Sequence, residues 1–222
     1  MRRVRILALL LACSALAAAT PALATSVTVQ ISGTWSSVTD SAGVLDGSVT
    51  VGGSFTATLV YDDATLDSDP SVEFGGYDVP AMTSDLSVVT GNYSFSPGSG
   101  VGIGVENDNA FGEDWIFLFA ENYVGTGPFP VGVGTGATAY ANPTLVDFSA
   151  SAHGSDALVG LNWNLGNYDD ASFYLFVEIT GQGPLEFLEF QGTITDIQVL
   201  PEPSMLCLTA LALAALAAHR RG

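Results

Sequence analysis

The chain has 222 residues and a formal net charge of −18, with five cationic side chains against 23 carboxylates. The cations are arginines at the two extremities (Arg2, Arg3, Arg5, Arg220 and Arg221), and between Thr25 and Leu200 there is neither Lys nor Arg. A body without cations cannot neutralise phosphates, which excludes nucleic acid as its partner.

The first 24 residues carry the order of a secretory signal peptide: MRRVRI, then the apolar LALLLACSALAAA, then small residues ending in Ala22-Leu23-Ala24. The arginines stay on the cytoplasmic side while the apolar run inserts, and cleavage after Ala24 is expected. A competing reading takes Leu10-Leu11-Ala12-Cys13 as a lipobox, but it leaves a long apolar stretch on the mature end. Cys13 and Cys207 both lie in terminal apolar runs, so residues 25–199 contain no disulfide, cysteine ligand or cysteine nucleophile. That body must be stabilised by its core, and its size suits one domain.

Residues 25–199 read as strands and turns. Ser54 to Tyr61 alternates, with Phe55, Ala57, Leu59 and Tyr61 on one face. Asp85 to Thr90, Gly91-Asn92, then Tyr93 to Phe95 predicts a hairpin. Trp115 to Phe119 and Ser172 to Ile179 are apolar on both sides, which predicts central strands covered on both faces. Gly100-Val101-Gly102-Ile103-Gly104 reads as a thin strand that lets another backbone approach. Phe187 to Val199 closes the domain as a long strand with a bend at Gly192. The pattern predicts an all-β fold, a two-sheet antiparallel sandwich of jelly-roll type, with an up-and-down barrel as the alternative.

The candidate chemistry is sparse. Asp62, Asp63, Asp67, Asp69 and Glu73 crowd one loop, and Asp67, Asp69, Ser71 and Glu73 repeat the alternate-residue oxygens of an EF-hand loop. Val72 stands where that loop needs Gly. These five carboxylates are either calcium ligands or a hydrated acidic turn. His153 is the body's only histidine, so a Ser-His-Asp triad could use no other; its Gly/Ser-rich surroundings read as an exposed loop. No G-x-S-x-G, phosphate-binding loop or zinc set is present. Trp115 reads as core. Trp163, between Asn162 and Asn164, reads first as a core ring, and it is also the best candidate of the three for an exposed ring that stacks on a sugar.

The last 23 residues form a separate unit, 200–222. Pro201 and Pro203 stop any strand arriving from Val199. Ser204 to Ala218 is apolar and unbroken by charge, the pattern of a short single transmembrane helix, and His219, Arg220 and Arg221 follow it. Pro201-Glu202-Pro203, the apolar helix and the terminal Arg220-Arg221 together resemble the PEP-CTERM sorting signal of Gram-negative bacteria. The resemblance implies recognition by an exosortase in the inner membrane, removal or exchange of the tail, and delivery to the cell surface or the exopolysaccharide matrix. Residues around Gly53-Ser54-Phe55, Tyr61-Asp62-Asp63 and Gly91 to Phe95 are similar to the β-rich cargo domains found ahead of such tails, which carry no chemistry to transfer. The expectation is therefore an exported surface or matrix protein, structural or adhesive and without catalysis. A calcium-dependent carbohydrate-binding module and a secreted polysaccharide hydrolase are the alternatives.

Overall fold

A computed structural model describes residues 26–69, 71, 73–181 and 186–201. The signal-peptide reading (1–24), Glu202, Pro203, the apolar segment 204–218 and Arg220-Arg221 lie outside the described residues. Among the described residues no helix is long and apolar enough to cross a membrane.

The chain is all-β. Its strands are β1 (Ser26–Asp40), β2 (Ser54–Asp62), β3 (Phe74–Val79), β4 (Asp85–Thr90), β5 (Tyr93–Ser96), β6 (Val101–Glu106), β7 (Asp114–Glu121), β8 (Val124–Thr126), β9 (Gly134–Asp147), β10 (Asp170–Thr180) and β11 (Glu186–Leu200). All join one antiparallel 11-stranded sheet in the order β3-β6-β7-β9-β10-β11-β1-β2-β4-β5-β8. This corrects the expected two-sheet sandwich. A single sheet curls until the short edge strand β8 nears β9, where the Gly125 N–H donates to Thr135 Oγ1 at 3.1 Å rather than to a ladder carbonyl. The core fills the concave side, so one hydrogen-bonded layer encloses what two sheets would have sandwiched.

Strand alternation sets this geometry. In β2 the inward residues Phe55, Ala57, Leu59 and Tyr61 are buried, as their spacing predicts. The β4–β5 hairpin pairs Thr90 with Tyr93 across Gly91-Asn92. Gly91 has φ +53° and Asn92 is not among the positive-φ residues, the pattern of a II′ turn. Trp35, Phe55, Phe173 and Phe190 form the central aromatic cluster, with Trp35 stacked on Phe55 at 4.3 Å between ring centroids. Gly192, opposite Trp35 in the β1–β11 ladder, makes room for it: a Cβ there would stand 2.7 Å from the Phe55 ring. The expected bend at Gly192 is met by register shifts on its partner strand, between Ser32 and Gly33 and between Trp35 and Ser37.

The first and last strands are neighbours. Thr28 pairs with Leu200 at one end of the β1–β11 ladder, and Asp40 pairs with Leu188 at the other. Segments 1–25 and 202–222 therefore attach at one end of the body. The start of β11 lies about 40 Å away along the strand.

Candidate functional site

Because the sheet has a single core side, its other side faces solvent, and that outer face divides in two. Over β1, β2, β4 and β5 the outward residues are mostly hydroxylic or amidic, namely Thr28, Gln30, Ser32 and Thr34, then Ser54, Thr56 and Thr58, then Ser87, Ser94 and Ser96, with Val60 and Val89 aliphatic and Asp62 and Asp85 acidic. Over β7, β9, β10 and the start of β11 they include Trp115, Phe117, Phe119, Tyr140, Tyr174, Phe176 and Phe187. The strands Trp115–Phe119 and Ser172–Ile179 are central in the sheet but covered on one face only, which corrects the expectation that both faces are buried. Trp115 is half-buried rather than core, and its indole N–H donates to Glu113 Oε2 at 2.9 Å.

Five of these seven rings form a continuous ladder across strand neighbours. Phe119 and Tyr140 have centroids 6.1 Å apart, Tyr140 and Tyr174 5.6 Å, Tyr140 and Phe176 5.6 Å, and Phe176 and Phe187 5.5 Å. Except for Phe119, which is exposed, each ring is partly covered by its neighbours. Burial, with the neighbouring Tyr140 hydroxyl and Glu189 carboxylate, holds the Tyr174 phenol well above its usual value, so it remains a hydrogen-bond donor. At Gly104 in β6 the Phe117 ring, not the expected second backbone, covers the bare chain, whereas just before the strand at Gly100 the backbone of Val79 and Ala81 does come close.

At the far end of the ladder Thr138, Phe176, Glu178, Glu186 and Phe187 line a groove of about 340 Å³. Its shape comes from a break in the β9–β10 ladder: Val177 pairs with Ala139 and Ile179 with Thr135, leaving extra residues in β9. Glu178 lies across Gly136, where a Cβ would meet its carboxylate at 2.7 Å, and its Oε2 accepts the Thr138 N–H at 3.2 Å. Glu186 Oε2 accepts the Ser41 hydroxyl at 2.7 Å. A larger depression of about 470 Å³, lined by Ser26, Val60, Asp62, Met82, Thr83, Ser84 and Asp85, has no aromatic wall.

The residues expected to carry chemistry lie elsewhere. Trp163 is 7% exposed, and its N–H donates to the Tyr61 hydroxyl at 3.1 Å, so it is a core residue and cannot stack on a sugar. Asp62, Asp63, Asp67, Asp69 and Glu73 are not drawn into one ligand set; among the described residues no three His, Cys, Asp or Glu side chains come together to hold a metal. Asp67 Oδ1 accepts the N–H groups of Asp69 and Gly76, both at 2.9 Å, and Asp69 Oδ1 accepts that of Ser71 at 2.8 Å. With the Ser68 N–H on the Gly76 carbonyl at 2.7 Å, this loop satisfies the outer edge of β3, the sheet's exposed terminus.

His153 is half-buried, not loop-exposed. Burial pushes its pKa down, against the upward pull of Asp114 and Asp147. The Tyr168 hydroxyl donates to the Asn162 carbonyl at 2.5 Å and stands 3.1 Å from His153 Nε2, so the histidine donates to the phenol oxygen. No serine or threonine hydroxyl bonds this ring among the described residues, so the triad has no nucleophile there.

Comparison with family models, curated proteins and solved structures returned no match. The outer face has to be read from its own chemistry.

Proposed function

We propose that this chain is an exported, non-catalytic surface or matrix domain that adheres to polysaccharide through its outer aromatic ladder. The observation that carries the reading is the division of one solvent-facing surface into a half that is mostly Ser and Thr without rings and an aromatic half. Strand propensity is met equally well by Thr or Val, as on β1 and β2, so the fold alone does not call for rings over β9 and β10. Half-covered Tyr and Phe rings in a row offer flat apolar surfaces for pyranose faces, with the Tyr hydroxyls at hand for sugar hydroxyls.

The delivery route rests on the arginine-flanked ends: export by segment 1–24, then transient inner-membrane anchoring and exosortase handling of the PEP-CTERM-like tail. Mass spectrometry of the protein isolated from its host is expected to find Thr25 as the first residue and a C-terminus before the apolar segment 204–218. Recovery of the intact chain from the cytosol would end the export reading. The positions of the ends support it further, since both join the body opposite the groove, which leaves the ladder's far end directed away from an anchoring membrane.

Adhesion is tested by affinity electrophoresis through gels containing the host's extracellular polysaccharide. Tyr140→Thr, Tyr174→Thr and Phe176→Thr combined, which convert the ladder to the chemistry of the other half, are expected to abolish retardation of the band while leaving the melt cooperative. Unchanged retardation would remove the ladder from the function. A second reading, hydrolysis of the same polymer, draws on Glu178 and Glu186 lining one groove, as an acid–base pair would. New reducing ends that disappear with Glu178→Gln or Glu186→Gln would replace adhesion by hydrolysis.

A further inference from the structure

We infer that the groove at the end of the ladder selects a hexosamine polymer whose 2-amino groups are free and protonated. The inference rests on the adhesive reading above and specifies its ligand. Glu178 and Glu186 flank two exposed-edge rings, Phe176 and Phe187, whose planes lie 25° apart. Glu189 lies on the same outer side, beside Tyr174. No Lys or Arg exists between Thr25 and Leu200 to neutralise them. Glu178 and Glu186 each commit one oxygen to a single neutral donor, the Thr138 N–H and the Ser41 hydroxyl respectively, and Glu189 Oε1 accepts the Gln191 side-chain N–H. Glu178 Oε1 and Glu186 Oε1 accept no hydrogen bond among the described residues.

A ligand that covers the rings must also cover these charges. A uronic-acid or sulfated polymer brings like charge into a site that has no counter-charge. A neutral polymer strips water from the carboxylates and returns only hydroxyl hydrogen bonds. A protonated amino sugar meets both demands at once: its apolar ring face lies on Phe176 and Phe187, and its ammonium donates to Glu178 or Glu186 as a charge-assisted hydrogen bond beside an aromatic face. The depth of the ladder beyond the groove, through Tyr140 to Phe119, suits a chain rather than a single sugar.

The test is calorimetric titration of the signal-free chain with four probes at equal ionic strength: a glucosamine hexamer, its fully N-acetylated counterpart, cellohexaose and hexalysine. The glucosamine hexamer is expected to bind at least about tenfold more tightly than either neutral hexamer, and hexalysine more weakly still. Its affinity should fall with salt. Glu178→Gln with Glu186→Gln keeps an acceptor for Thr138 and Ser41, so the fold is retained, and the tenfold preference should vanish. Phe176→Ala with Phe187→Ala should weaken all sugar probes together. Equal binding of the three hexamers overturns the charge assignment and leaves adhesion standing. Hexalysine matching the glucosamine hexamer overturns the sugar assignment. Failure of every sugar overturns the adhesive reading as well.

Discussion

Trp35→Ala is expected to cost about 3–5 kcal/mol, the largest loss from any single core truncation in this chain. The ring is 1% exposed and is the meeting point of β1 with β2, β10 and β11, through Phe55, Phe173 and Phe190. Its Nε1–H donates to Thr90 Oγ1 at 2.7 Å, and that hydroxyl passes the bond on to the Ser54 carbonyl at 3.2 Å. Truncation opens a cavity in a cluster that is closed on its other side by Gly192, a position with no side chain to relax inward. Trp35→Phe keeps the stack but loses the N–H, and should cost about 1–2 kcal/mol. Urea titration of both variants checks this: the midpoints should move in that order with unchanged slopes. A loss below about 1 kcal/mol for Trp35→Ala would show that the cluster is not the fold's centre.

Local facts were legible in the sequence and long-range ones were not. Alternation in Ser54 to Tyr61 states which side chains point inward, because a strand has period two whatever lies next to it. It does not state which strands are neighbours, so β1 and β11, at opposite ends of the chain, could not be read as the central pair. The absence of a second sheet hides in the same gap. Trp115 to Phe119 is apolar on both sides, and burial is the usual reason for that pattern. Here the second apolar side is the exposed ladder, and the available signal was that a body of this size has one core to offer, not two covers for each strand. For Trp163 the leading core reading holds and the sugar-stacking one falls: a loop has no period, so its burial against Tyr61 depends on a tertiary contact that its Asn neighbours do not announce.

The acidic loop shows two chemistries sharing one spacing. Alternate-residue carboxylates suit a calcium loop, yet Asp and Asn side chains also accept from the N–H two residues on. Asp67 to Asp69 and Asp69 to Ser71 are bonds of this second kind. The sequence pattern alone could not separate them. The bond from Asp67 to Gly76 of β3 gives that carboxylate a structural role at the sheet edge besides. The export and sorting readings of the two ends rest on order and composition alone.

Asp147→Ala should be the most damaging change outside the aromatic core, costing about 3 kcal/mol, with an effect that depends on pH in a defined direction. Asp147 is 2% exposed, and there is no Lys or Arg among the described residues to pair with it. Instead Oδ1 accepts the Ser149 N–H at 2.8 Å and its hydroxyl at 2.7 Å, and Oδ2 accepts the Ser151 N–H at 2.7 Å and its hydroxyl at 3.0 Å. Across the β7–β9 ladder its partner Asp114, also buried, takes the N–H groups of Asp108 and His153. The two carboxylates thus hold the loop that follows β9. Burial alone would push the Asp147 carboxyl up, but the Ser149 and Ser151 donors outweigh it and hold the folded value far below the ordinary one. A depressed folded value means that the contribution is complete above the unfolded value, near 3.9, and is lost as pH falls below it toward the folded one. The stability difference between wild type and Asp147→Ala should therefore be constant from pH 7 to about 5 and narrow below about 4. Taking the difference at each pH cancels the repulsion among surface carboxylates, which both proteins share. Asp147→Asn should rescue little, because its amide NH2 would face either the Ser149 or the Ser151 N–H. A difference that stays flat down to pH 2 would mean that Asp147 does not hold the loop as an anion.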